Sequence, residues 1–183
     1  MKTVQLKNTQ IVMAIFALII SITMNAQEKW NIELVNESKE ALKEMIEKTP
    51  KLESLYNDSY GYAVFPKVTK AAIAVGGAFG NGIVFKDQKV VGSTKLKQAT
   101  IGIQLGGQQY TEVIFFEDQV AFNRFVSEEL KFDAQLSAVA LTEGVSLDAA
   151  YQEGVAVFTT TNGGFMYEAS VGGQHFKYVS ATN

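Results

Sequence analysis

From Gly61 onward the apolar residues of this chain come in short runs whose period is two, not 3.6. Residues 61–65, 72–79, 83–85, 89–91 and 112–116 are rich in β-branched and aromatic side chains and are separated by residues that favour turns. In residues 100–105, Ile101, Ile103 and Leu105 alternate with Gly102 and Gln104. In residues 154–160, Val155, Val157 and Thr159 alternate with Ala156, Phe158 and Thr160. A period of two sends successive side chains to opposite faces of an extended backbone, so most of the chain has to form a sheet. The short connections make that sheet mostly antiparallel. Asn81-Gly82 reads as a hairpin turn, residues 86–89 as the next turn, and Gly106-Gly107 as a bend or bulge. Further strands are expected at 132–141, 165–171 and 174–179, with a loop around Gly144.

Helical spacing appears in three places. Leu34, Ala41, Leu42 and Met45 form one stripe, with Glu33, Glu37, Glu40, Glu44 and Glu47 opposite, and Glu44 and Lys48 stand at i, i+4. Thr49-Pro50 ends that helix and starts a short second one over 50–56. Asp118 is a good N-cap for a third, with Val120, Phe122, Phe125, Val126 and Leu130 on its buried side. The fold expected is α+β: N-terminal helices and one central helix on a strongly bent, mostly antiparallel multi-stranded sheet or partial barrel.

The first residues follow a different logic. Lys2 and Lys7 precede a nearly unbroken apolar run at 11–24, which ends at Asn25-Ala26-Gln27. That order reads as a secretory signal peptide over 1–26. The run of about 14 residues falls short of the roughly 20 that span a bilayer. Residues 27–183 are then expected to be one domain, secreted or periplasmic. There is no cysteine among the 183 residues. Disulfides, thiolate metal sites and lipid-modified cysteine are thereby excluded, and the hydrophobic core has to hold the domain up.

Charge is uneven. Between positions 67 and 97 stand Lys67, Lys70, Lys86, Lys89, Lys95 and Lys97 against one acid, Asp87. Over 112–153, nine acids face only Arg124 and Lys131. A net charge of −3 speaks against a nucleic-acid partner. If the strands bring the six lysines to one rim, they make a patch for phosphate or carboxylate headgroups. Lysines at turns and strand edges also guard against edge pairing, and the residues alone leave both readings open.

Catalytic and metal signals are weak. The single histidine, His175, has no Gly-x-Ser-x-Gly elbow or clustered acid to serve. The 76–82 glycines would need a following helix to cradle phosphate, and a strand follows instead. No cofactor and no metal is expected.

Gly61-Tyr-Ala-Val-Phe-Pro-Lys-Val-Thr-Lys-Ala71, followed by Gly76-Gly-Ala-Phe-Gly-Asn-Gly-Ile-Val84, resembles the opening of the SYLF domain, the lipid-binding module of yeast actin-patch proteins. Thr100-Ile-Gly-Ile-Gln-Leu-Gly-Gly-Gln108 resembles its glycine-rich strand. Val113-Ile-Phe-Phe116 with Ala121, Phe122 and Phe125 resembles its strand and helix, and Tyr167-Glu-Ala-Ser-Val-Gly-Gly173 its closing strand. The resemblance runs in order over 34–179. It implies a compact mixed fold, a lipid or fatty-acyl ligand or an anionic membrane surface as partner, and no catalysis. On that implication Lys67, Lys70, Lys86, Lys89, Lys95 and Lys97 meet headgroups, and Phe79 and Phe85 meet acyl chains. One departure concerns the first helix, which is acidic here and basic in the eukaryotic members. Besides lipid binding, the residues leave open a protein-interaction role in the cell envelope.

Overall fold

The computed structural model describes residues 31–73, 75–101, 106–128, 151–161 and 173–181. The leader expected at 1–26, the strands expected at 132–141 and 165–171, the loop expected around Gly144 and most of 100–105 lie outside the described residues. Two helices come first, α1 (Ile32–Lys48) and α2 (Leu52–Asp58). Four long strands follow: β1 (Gly61–Ile73), β2 (Val75–Lys86), β3 (Lys89–Ile101) and β4 (Gly106–Phe116). Helix α3 (Gln119–Val126) then precedes β5 (Val155–Thr161) and β6 (Gln174–Ser180). All pairings are antiparallel, in the order β5-β4-β1-β2-β3-β6. This is the α+β architecture expected.

The sheet is strongly bent. On a flat sheet β1 and β6, three strands apart, would lie about 14 Å from each other. Yet the rings of Phe65 on β1 and Phe176 on β6 are 5.8 Å apart. Gln174 on β6 donates through Nε2 to Glu112 Oε2 on β4 at 3.2 Å, across four strand intervals. The concave face is therefore rolled nearly onto itself. The central strand allows this by carrying almost no bulk there: Gly76, Ala78, Gly80 and Gly82 are buried in succession. An ideal Cβ at Gly82 would lie 2.7 Å from Phe65 Cδ1 and 2.7 Å from the Val64 carbonyl oxygen.

The concave core is aromatic. Phe65, Phe116, Phe125 and Phe176 are all buried, with Phe116–Phe125 at 4.8 Å and Phe125–Phe176 at 5.1 Å. Helix α3 plugs this face with Phe122 and Phe125. Its start is fixed by Asp118, whose Oδ1 accepts from the Ala121 amide at 2.8 Å. Asp118→Ala removes that partner from an orphan helical N–H and is expected to lower unfolding free energy by about 1 kcal/mol, measured by urea denaturation. An unchanged midpoint would mean that the cap does not hold the helix in place. On the convex face Tyr62 stacks on Phe85 at 4.9 Å and meets Tyr56 of α2 at 5.3 Å. Burial first, then Tyr56, pushes the Tyr62 hydroxyl above its ordinary range.

Several turn expectations are corrected. Asn81-Gly82 is no hairpin: Asn81 pairs with Lys67 and Lys95 in mid-strand. The reversal comes earlier, where β1 ends at Ile73 and β2 begins at Val75, so 72–79 is not one strand. Strand β1 also runs through Pro66, past which the register shifts on both sides. Proline has no N–H for the ladder, so an interior strand can hold it only at such a bulge. Thr111 Oγ1 donates to the Pro66 carbonyl at 3.0 Å and steadies it. Gly106-Gly107 opens β4 without a bulge. The 86–89 turn does occur, with Lys86 paired to Lys89 and positive φ at Asp87 and Gln88.

Candidate functional site

Residues opposite one another in an antiparallel ladder share a face, so the register alone assembles the exposed side of this sheet. One row runs Lys67–Asn81–Lys95–Lys177 over β1, β2, β3 and β6. The next runs Thr69–Phe79–Lys97–His175. Lys67, Phe79, Asn81, Lys95, Lys97, His175 and Lys177 are all exposed, on the convex face. Phe79 leaves 63% of its surface in solvent, an unusual place for a large aromatic ring in mid-strand.

No aspartate or glutamate occurs within β2, β3 or β6. Among the described residues, none of Lys67, Lys95, Lys97 or Lys177 is joined to a carboxylate. The acids stand elsewhere. Glu37, Glu40 and Glu44 of α1 line a groove of about 410 Å³ against β1, β4 and β5, with Lys67 and Gln109 on its other wall. Among the described residues, none of β2, β3 or β6 lines that groove. A protein of net charge −3 thus carries a basic array on strands β2, β3 and β6, which hold no acid of their own.

The six lysines named from the sequence do not share a rim. Lys67, Lys95 and Lys97 come together, and Phe79 stands among them. Lys70 is only 4% exposed and lies on the concave side, where it is paired with Ala78 and Gln108. Alternation is the reason: past the Pro66 bulge the register is regular, and Lys67 and Lys70, three positions apart, fall on opposite faces. Lys86 and Lys89 flank the β2–β3 turn at the far end of the strands. Lys86 donates to the Tyr60 hydroxyl at 2.6 Å and lies 4.4 Å over that ring, and the hydrogen bond raises its pKa above the ordinary lysine value. Phe85 is 1% exposed and belongs to the core under Tyr62. Lys177 and His175 went unnamed as surface partners, although the period of two in 174–180 sets both opposite the buried Phe176.

The concave side carries a second polar group. Lys70, Gln98 and Glu112 are buried there, Glu112 directly opposite Phe65 and Gln98 opposite the Gln174 that donates to Glu112. Among the described residues no three histidines, cysteines or acids are placed to hold a metal ion. Among the same residues no helix is long and apolar enough to cross a membrane.

No family model matches the chain. A curated relative, "Beta cell expansion factor A" of Aeromonas veronii, is 28% identical over 138 residues, covering 74% of this chain and 52% of the relative. The chain therefore spans about half the length of the protein it matches.

Proposed function

We propose that this chain is an exported, non-catalytic domain that docks on anionic lipid surfaces through the convex face of β2, β3 and β6. The carrying observation is the array of Lys95, Lys97 and Lys177 around the exposed Phe79, on strands that hold no acid. Each lysine close to an anionic leaflet contributes about 1 kcal/mol, within a reach of roughly 8–10 Å at ordinary salt. Charge segregation orients the molecule, so its net negative charge does not prevent approach. Phe79 then adds an apolar contact at the headgroup boundary, where aromatic rings are favoured. The ordered resemblance of 61–71, 76–84 and 113–125 to the SYLF domain supports the same reading.

The test is sedimentation of the purified protein with vesicles. Binding to vesicles containing phosphatidylglycerol is expected, falling steeply with salt, and none to phosphatidylcholine alone. Phe79→Ser is expected to weaken binding about tenfold by removing most of a buried phenyl contact. No retention on anionic vesicles at low salt would sink the proposal and favour a protein partner for the same face.

A further inference from the structure

We infer that Lys95, Lys97, Lys177 and His175 form a discrete subsite for the phosphomonoester headgroup of a lipid, an inference that rests on the membrane-surface reading above. Diffuse attraction would be served by lysines placed anywhere on the face. Here they are set against one another. Lys95 pairs directly with Lys177, and Lys97 with His175. Like charges directly opposite on a sheet, as Lys95 and Lys177 are, destabilise it. No acid stands on these three strands, and the carboxylate that reaches β6 from outside them, that of Glu128, accepts from the Tyr178 amide at 3.3 Å. Edge protection does not explain the arrangement, because β3 is an interior strand with β2 and β6 on either side. Only Lys177 stands on the edge strand.

An anion shared by the pairs removes the conflict. The Cα atoms of Lys95 and Lys177 are about 4.5–5.5 Å apart, and those of Lys95 and Lys97 about 7 Å along the strand. Flexible lysine stems let three ammonium groups converge from those positions on one tetrahedral group. A phosphomonoester carries about −1.5 to −2 charges and three strong acceptor oxygens. That matches three ammonium groups and an imidazole N–H better than a diester or carboxylate with one charge. Phe79, directly opposite Lys97 in the same row, favours a lipid source over a soluble one. A free phosphate has no use for an exposed phenyl ring, whereas a headgroup lies beside apolar chains.

The experiment compares vesicles of phosphatidylcholine with phosphatidic acid or with phosphatidylglycerol, matched for surface charge. Binding to the phosphatidic acid vesicles is expected to be about 5–10-fold tighter, from the denser charge and additional acceptors of the monoester. Lys177→Gln should collapse that ratio toward one, whereas Lys89→Gln, at the distant turn, should leave it intact. The ligand-free Lys177→Gln protein should melt about 1–3 °C higher, since a like-charge pair is relieved. Equal binding to the two matched vesicles would overturn the subsite and leave surface docking standing. Binding to neither would remove the docking proposal itself. A fall in melting temperature for Lys177→Gln would make the lysine structural and also overturn the subsite. Unchanged phosphatidic acid binding in Phe79→Ser, with glycerol 3-phosphate competing at equal affinity, would reassign the site to a soluble phosphate and defeat the lipid claim.

Discussion

Phe125→Ala is expected to cost about 3–5 kcal/mol of unfolding free energy, the range for removing a fully buried phenyl ring. For a domain of this size that is a fall in melting temperature on the order of 10–15 °C. The reason lies in what surrounds the ring. Phe125 has no exposed surface and meets Phe116 on β4 at 4.8 Å and Phe176 on β6 at 5.1 Å. Phe176 in turn meets Phe65 on β1. These neighbours sit on strands held by ladder hydrogen bonds, so they cannot slide in to fill the void. The helix α3 also loses the side chain that anchors it across the rolled sheet. Circular dichroism melts and urea titration read the effect directly. A loss below about 1 kcal/mol would mean that the ring is not enclosed by β4 and β6 as described.

Gly82→Ala is the second large effect, about 2–3 kcal/mol, from overpacking instead of a cavity. Two of the atoms that the new methyl would strike are ring carbons of Phe65, which is itself buried. The third is the Val64 carbonyl oxygen, a backbone atom that moves only if β1 and β2 separate. Relief therefore means shifting both the ring and the strand. Gly107→Ala is the internal control, because its Cβ would meet only the Lys70 carbonyl at an ordinary 3.7 Å. There the substitution should be neutral or slightly stabilising, through lost freedom in the unfolded chain. If both alanine variants melt together with the parent, position 82 lies in a loose turn and the mid-strand placement is wrong.

That placement marks where reading the sequence stopped working. Asn-Gly is a strong hairpin signal because both residues tolerate positive φ. At 81–82 it serves another end: asparagine faces solvent in the basic row, and glycine makes room for Phe65. The signal is local and the cause is tertiary, so no window around 81–82 could reveal it. Residues 92–99 do not read as a strand for a related reason. Gly92, Lys95 and Lys97 are residue types depleted in strands, yet β3 pairs along its length with β2, and from Gly92 to Gln98 with β6. Other features were legible. The Asp118 cap, the 86–89 turn, the alternation in 155–160 and the bent antiparallel sheet all follow from short-range chemistry and period.

The candidate site was legible by half. Counting lysines over 67–97 found the basic segment, but alternation decides which of them share a face. Lys67 and Lys70, an odd number of positions apart, point to opposite faces, and a count of charges ignores that parity. The partners on β6 come from a distant part of the chain, so a search for clustered charge along the sequence passes them by.

That distance has a consequence for how the protein would acquire the proposed binding. Lys177 and His175 meet Lys95 and Lys97 only when β6 docks on β3, a pairing with large separation in sequence. Contacts of that kind close slowly, because loop entropy has to be overcome before they form. Binding competence should therefore appear with the final cooperative step and be absent from partly folded chains. A ligand that recognises only the completed array also draws the population toward it, by RT ln(1 + [L]/Kd). An anionic surface bound as proposed would then act as a template for its own receptor, selecting mature molecules and holding them folded.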